Sequence, residues 1–581
     1  MSKENILLLN DFYYDEKYKI YRNKSPYCTI NYSDGYKAEK YILESIKAAS
    51  DVSSQSEELT NYIKNWASCY HFNVNRPNII RALDLSNDLN VLEIGSGCGA
   101  ITRYLGEHFK SVDAVEGSKY RAIITRERCR DLNNVSVYNT NIECMSLPSS
   151  YYDIITLIGV LEYSPMYMRN TPPREAFKKL LYLTQHALKD NGMLIVAIEN
   201  KIGLKYWEGD LEDHTGKAFE GINDYPNNYG PVTFTRFELT NLLKESGFEA
   251  IKFFSCFPDY KLATTIINNE KVKMEHRIYN WVEFPTVRFA NHRLFHEGLA
   301  LKTLYKGKIF NEFANSFLVV ASKHKLPSSF FNANWIAKKF SLKRRPEFRT
   351  ITILTDHNKT TQKIRTSAEN KETISIYSNG LTIKHIVSTE RWIEGDLLVF
   401  EISKLIFRKD FKEKFLALLK EYNNKLLNVH SLGKFDKEGY PIVSGKAFDF
   451  IFRNIIRSLN GNLEQIDKEW DISPITAEFV VYRTIKNDIL ISQWPWIQNI
   501  VKNRKRFIIE TIQYLYPQYN AKRYLKNLVL DKKIGSLITN HVNYYCPQSN
   551  SSRKNDTIIA KIWHILPLGM RKQILHILKG V

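Results

Sequence analysis

Apolar residues recur at three- and four-residue spacing between Lys37 and Leu83, through Tyr62, Ile63, Trp66 and Ala67, which predicts helix there. After Asp88 the texture changes. Short apolar runs at Val91–Ile94, Val112–Val115, Val135–Tyr138, Ile154–Leu157 and Met193–Ile198 alternate with helical stretches, the pattern of a mainly parallel sheet wrapped by helices. Runs at Ala250–Phe254 and Ser316–Ala321 predict two more strands, separated by an insertion rich in Tyr, Phe, His and Arg that is expected to cover the ligand site. Lys343-Arg344-Arg345-Pro346 reads as a linker. Beyond it, a strand from Thr350 to Leu354, a turn at Asp356-His357-Asn358 and a strand from Thr361 to Arg365 open a second unit. That unit turns helical from Lys404 to Leu427 and again after Pro474, and Ile558–Leu578 is amphipathic around Pro567.

Length and charge refine this picture without replacing it. A chain of 581 residues exceeds what one core supports, so the expected division is a helical segment (1–75), an α/β Rossmann-like domain (76–325), an α+β domain (345–530) and a tail (531–581). The seven cysteines are scattered and never spaced C-x-x-C, so neither a disulfide framework nor a zinc site is expected, and a reducing cytoplasm is the simplest setting. No run of eighteen apolar residues predicts a membrane span. A net charge of +20 attracts polyanions in general, but the lysines are spread along the chain, and a solvated basic face competes with a nucleic-acid surface as their explanation.

The chemistry concentrates after the first strand. Gly95, Gly97 and Gly99 in Glu93-Ile94-Gly95-Ser96-Gly97-Cys98-Gly99 lead from strand to helix, where missing Cβ atoms let a ligand approach the backbone. Glu116, ending the next strand before Gly117, can accept hydrogen bonds from both hydroxyls of a ribose. The loop lacks the glycine spacing that seats a diphosphate on a helix N-terminus, and Glu93 before it favours a cationic ligand. Beyond the fifth strand, Glu199-Asn200 and Glu208 to Gly216 are expected at the C-terminal sheet edge. There His214 is the preferred general base, oriented by Asp213 or Glu212, with a solvent-exposed acidic loop as the alternative. His71, Arg76 and Asp259-Tyr260-Lys261 are further candidates for acceptor contacts. The acid in Gly159-Val160-Leu161-Glu162-Tyr163 could border the ligand or cap the helix that follows.

E-I-G-S-G-C-G followed by V-E-G resembles the class I S-adenosylmethionine-dependent methyltransferases over about Trp66 to Lys323. The resemblance implies S-adenosylmethionine as cofactor, with Glu116 on the ribose, the three glycines around the amino acid part, Asn141-Ile142-Glu143 beside the adenine, and Gly159 bordering cofactor and acceptor. Glu-Asn-Lys-Ile-Gly-Leu-Lys-Tyr at 199–206, Glu-Asp-His-Thr-Gly at 212–216 and Phe-Pro-Asp-Tyr-Lys at 257–261 look like methyltransferases of bacterial surface-polysaccharide synthesis. That implies a glycan or glycolipid acceptor, a sugar hydroxyl or sugar phosphate.

In the second unit, Asp449 and Asn454 stand five apart, and Asp467 follows a hairpin turning at Gly461. In phosphoryl transfer such an Asp positions the acceptor hydroxyl, while the Asn and the later Asp hold Mg²⁺ against ATP. The region from about Arg349 to Lys526 resembles the aminoglycoside-kinase-like fold, and the whole chain the bifunctional methyltransferase-kinases that terminate O-antigen chains. It departs from that pattern in having no glycine-rich loop and Ala447 where a histidine is usual; either Lys363 or Arg365 could take the ATP-lysine position. The closing amphipathic segment could lie on the inner face of the membrane, meet polysaccharide-synthesis enzymes or dock on its own domain. The alternative class is an RNA-directed methyltransferase whose basic second domain recruits nucleic acid.

Overall fold

The computed structural model describes residues 11–539, apart from 31–32, 169–170, 227–229, 285–292, 357–358, 368–370 and 379. The amphipathic segment Ile558–Leu578, and with it most of the expected tail, lies outside these residues, as do His357 and Asn358 of the expected turn.

A sheet of fourteen strands organises the described chain. Its centre is parallel: β3 (Asn90–Ile94), β4 (Ser111–Glu116), β5 (Val135–Asn139), β6 (Tyr152–Ile158) and β7 (Leu188–Glu199) lie in the order β5-β4-β3-β6-β7. α5 (Ala100–His108) and α6 (Lys119–Arg128) are among the helices that cover it. β7 explains why its sequence reads as an unbroken apolar run: residues 192–199 are all buried, because helices occupy both faces of a parallel sheet. Each fully buried Ile or Val on such a strand contributes about 1.5–3 kcal/mol. β8 (Ala250–Phe257) and β10 (Ser316–Ser322) follow, with β10 inserted antiparallel between β7 and β8. This strand order, with one reversed strand next to last, is a Rossmann-like methyltransferase fold of class I.

Four features differ from the sequence expectations. The N-terminal segment is not wholly helical: β1 (Phe12–Asp15) and β2 (Ile20–Asn23) form a hairpin that adds to β5, and the helical pattern resolves into α1 (Tyr36–Ala48), α2 (Glu57–Asn61), α3 (Trp66–Phe72) and α4 (Asn78–Arg81). Cys28 and Cys144 form a disulfide with Cα atoms 5.7 Å apart, which their separation of 116 residues gave no means to foresee.

The Lys343–Pro346 stretch is no linker. It turns β11 (Trp335–Ser341) into β12 (Thr350–Thr355), which pair antiparallel and carry the sheet on to β13 (Thr360–Arg365). Arg344 there is clamped on Glu469, so its charge serves a buried ion pair rather than solvation.

The aromatic insertion, finally, meets the ligand site at its start, where Tyr260 and Lys261 line the cleft, but among its described residues does not cover it. Its strand β9 (Thr265–Asn268) joins β8 to β11, and its remainder packs on the second half of the chain. Tyr279 meets Phe400 edge-on, Trp496 Nε1 donates to the Phe295 carbonyl at 2.8 Å, and Arg277, Tyr279 and Lys302 converge on Asp396. Large aromatic rings gain more against apolar helices than over a polar cleft, which accounts for the choice.

Asp396 is therefore a joint between the two halves. Burial opposes its charge, but Lys302 and Tyr279 hold its pKa below the ordinary value. A group depressed on folding stabilises fully above its unfolded pKa and loses that contribution as pH falls through its folded pKa. Asp396→Ala strands the mostly buried Lys302 ammonium, and the variant should lose about 1–3 kcal/mol at neutral pH. Its deficit against the wild type should shrink in acid, as followed by thermal unfolding across pH.

Candidate active site

The C-terminal ends of the parallel strands open into a cavity of about 690 Å³, within the range of small-molecule sites. The turn after β3 gives it a glycine floor. Gly95, Gly97 and Gly99 all have positive φ, but they serve different ends. A Cβ on Gly95 would stand 2.5 Å from Val160 Cγ2, so that glycine keeps the passage between two loops open. A Cβ on Gly99 would meet the Thr125 backbone at 3.0 Å, so that glycine lets α5 pack against α6 and does not line the cleft.

Glu116 ends β4 with its carboxylate buried. Its Oε2 accepts the Gly97 N–H and its Oε1 the Ser118 N–H, each at 2.8 Å, leaving further lone pairs for a ligand. Burial raises its pKa, against the Arg121 charge and these two amides. Arg121 ties the wall opposite to α6 by binding Asp34 at 2.6 Å and Glu39 at 2.8 Å. Glu93 accepts from Thr102 at 2.5 Å, and burial pushes it up to about 7.

Of the residues expected on the cofactor side, Glu93, Gly95, Gly97, Glu116, Gly117, Ile142 and Gly159 line this one cavity. Glu143 does not: its carboxylate faces outward to Lys179 at 3.8 Å, because the short turn Ile142–Cys144 buries the isoleucine instead. Arg76 lines the cavity and is 4 % exposed, stacked over Tyr70. Its Nη2 meets Tyr70 Oη at 2.5 Å, while Nε and Nη1 are buried without a hydrogen-bond partner. Such a guanidinium is arranged for an anionic ligand group.

The other end of the cavity is lined by Tyr163, Tyr167, Asp213, His214, Tyr260 and Lys261. The alternative of a solvent-exposed acidic loop is not what the structure has: Glu212 is 2 % exposed and the His214 side chain 5 %. His214 Nδ1 lies 2.9 Å from Tyr163 Oη, and its Nε2 lies 3.5 Å from Glu199.

The acid nearest the imidazole is thus Glu199, with Glu212 Oε1 at 4.0 Å, while Asp213 is engaged elsewhere. Asp213 is taken by Lys205 at 2.5 Å, Tyr206 at 2.8 Å and Lys261 at 2.8 Å. Glu212 accepts the backbone N–H groups of His214 and Thr215 and so shapes the loop itself. Burial opposes a charge on His214, but Glu199 lifts it to about 9. Glu162 is pushed up to about 8 by burial and by the Glu199 charge. Lys261, against burial, holds Glu199 well below the carboxylate range.

A second cavity lies in the later half, between β13 and the segment Arg453–Glu469. It brings together Lys363, Asn454 and Asp467, with Glu390 and Glu469. Lys363 bonds to Asp467 and, at 2.5 Å, to Glu469; Arg365 points away, to His385 and backbone carbonyls. Asp467 is held at φ 58°, an uncommon conformation for a non-glycine residue. Asp449 is absent from the wall of this cavity. It is buried beside Arg483 at 4.0 Å, its carbonyl accepts from Asn454 at 3.2 Å, and burial pushes its carboxyl up to about 7.

Comparison with known proteins falls on the cofactor side. The family model for ribosomal RNA adenine dimethylase matches residues 72–198, from α3 through most of β7. Ribosomal RNA small subunit methyltransferase A of Streptococcus thermophilus is 34 % identical over 121 residues, 19 % of this chain and 42 % of the relative. Its counterpart in Streptococcus equi subsp. zooepidemicus is 25 % identical over the same coverage, so the chain spans under half the length of these relatives. Among solved structures, a SAM-dependent methyltransferase of Thermotoga maritima superposes with a TM-score of 0.27 at 18 % identity, over 44 % of this chain and 93 % of that one. Haemonchus contortus phosphoethanolamine N-methyltransferase 2 with S-adenosyl-L-methionine gives 0.26 at 17 %, over 44 % and 53 %.

The glycines separate packing from binding in a way that mutation can read. Gly99→Ala should lower stability by about 1–3 kcal/mol through left-handed strain and collision with α6. Gly97→Ala, whose Cβ meets only His71 Cε1 at 3.7 Å, should cost less, by chemical denaturation of both variants.

Proposed function

We propose that the chain is an S-adenosylmethionine-dependent methyltransferase whose acceptor is a sugar hydroxyl or sugar phosphate of a surface-polysaccharide precursor, a glycan or glycolipid. The observation that carries the methyltransferase reading is the single cavity in which the glycine loop and Glu116 meet the Tyr163–His214–Glu199 cluster. The residues fit the cofactor. Glu116 would hold the ribose hydroxyls, Ile142 and Asn141 the adenine, and Arg76 the carboxylate, while Glu93 favours the cationic end. The cofactor supplies an electrophilic methyl group, so the protein's task is mainly alignment and removal of a proton from the acceptor. Tyr163 and His214 handle that proton on the acceptor side. Tyr163, Tyr167 and Tyr260 offer flat faces for a sugar ring, and Lys261 and Asp213 polar contacts to its substituents.

Support for a phosphorylated glycan end comes from the second cavity. Lys363, Asn454 and Asp467 are the groups that phosphoryl transfer from Mg²⁺-ATP requires, and here they share one wall. With Asp449 displaced from that wall and a cavity of about 100 Å³, a kinase-like scaffold serves the same reading as well as nucleotide binding does.

The RNA reading has its own observation. A groove beside the cofactor end, about 1140 Å³, is lined by Lys17, Lys19, Lys47 and Lys119 with Tyr14 and Tyr18, the mix of cations and rings that holds single strands. The two readings divide on substrate: labelled methyl groups entering surface-glycan oligosaccharides and not RNA support the first. Incorporation into RNA, weakening steeply with salt, would replace it with the second.

Two binding measurements check the sites. Calorimetry should show S-adenosylmethionine affinity falling at least about tenfold in Arg76→Ala, which removes a charge-assisted contact worth about 1.5–3 kcal/mol. Magnesium-ATP should bind saturably to the wild type and not to Asp467→Ala.

A further inference from the structure

In the acid–histidine cluster at the acceptor end, buried carboxylates outnumber the lysines. Four carboxylates, Glu162, Glu199, Glu212 and Asp213, are 10 % exposed or less at their side chains, and they face Lys205 and Lys261.

The unpaired groups point to one place. Glu162 is 0 % exposed, and both its side-chain oxygens are buried without a hydrogen-bond partner. His214 Nε2 is likewise without a hydrogen bond, while its Nδ1 is engaged by Tyr163. Ligand atoms of Glu162, Glu199 and His214 all lie within 4.8 Å of one another. Each comes from a different loop at the sheet edge, after β6, at the end of β7 and in the 208–216 segment, so the set is assembled by the fold and not by local sequence.

We propose that Glu162, Glu199 and His214 bind one divalent cation of the zinc or manganese class at the acceptor end of the cleft. Two carboxylates and one imidazole nitrogen suit such ions, and three protein ligands leave coordination positions open, as reactive sites do. Tyr163 on Nδ1 supplies the outer partner that fixes the ring, and Lys261 with Glu199 does the same for a carboxylate. Because Tyr163 and His214 line the cavity, the ion would polarise an acceptor oxygen there. Its binding does not depend on the methyltransferase reading, although its use does.

The test uses full-length protein carrying Asp467→Ala, which removes the candidate cation ligand of the second cavity. After chelator treatment, Mn²⁺ and Zn²⁺ are titrated in by calorimetry, and Mn²⁺ is followed by electron paramagnetic resonance. S-adenosylmethionine affinity is measured on the same samples. The expected result is one ion per chain, weakened at least about tenfold by Glu162→Gln and again by His214→Gln. Absence of saturable binding in protein that still binds S-adenosylmethionine overturns the inference while leaving the cofactor reading intact. So does unchanged affinity in folded variants. If Glu162→Gln fails to fold, nitrogen coupling in the Mn²⁺ spectrum decides, being present in the parent and lost in His214→Gln but kept in His276→Gln.

Discussion

Glu199 closes β7 with no exposed surface, and the acceptor half of the cleft follows from the need to compensate that one carboxylate. Lys261 reaches it from the loop after β8, His214 from the 208–216 segment, and Asp213 and Lys205 complete the network around Lys261. Three loops distant in sequence are thereby pinned to the same sheet edge. A buried charge of this kind contributes little net stability when paired and a large penalty when exposed to a wrong partner. It therefore selects one arrangement of the loops over others, and a cleft that must align two reactants needs that selection.

The strands were legible because burial on two faces writes itself into sequence as apolar runs, and Val91–Ile94 or Met193–Ile198 could hardly be read otherwise. The glycine loop and Glu116 were legible for a related reason: they are consecutive in the chain and answer to backbone geometry. The acceptor side was legible in composition but not in pairing. Glu199, Glu212, Asp213 and His214 all stood out, yet which acid faces the imidazole depends on how the 208–216 segment turns, and Glu212 spends its acceptors on its own loop. Glu162 read as a possible helix cap because a lone acid after a strand has no local signature of being orphaned. Arg76 carried the same ambiguity, since its buried Nε and Nη1 without hydrogen-bond partners leave no trace in the sequence.

The second half shows where pattern misleads. Lys343-Arg344-Arg345-Pro346 looks solvated, and in most chains such a run is. Here Arg344 and Lys363 converge on Glu469, and the turn they stabilise lets the sheet run from the Rossmann-like strands into β12 and β13. The two halves share hydrogen bonds along one sheet as well as the Asp396 joint. A flexible tether between independent domains is inconsistent with that continuity among the described residues.

This continuity bears on how two sites in one chain can serve one substrate. Lys363 is fixed by two acids, and Asp467 by Lys363 and by the Glu390 carboxylate that accepts its N–H at 3.1 Å, so the second cavity is rigid without a ligand. The acceptor cluster is rigid for the same electrostatic reason. Two preorganised sites on one unbroken sheet keep a fixed separation, and a fixed separation is useful only if the acceptor is long enough to present its end to each, or if one site holds what the other modifies. A polymer end meets that condition where a free small molecule does not, since it can leave one site without leaving the protein. On the proposed reading, a chain-like acceptor is the kind that could use two sites held on one sheet.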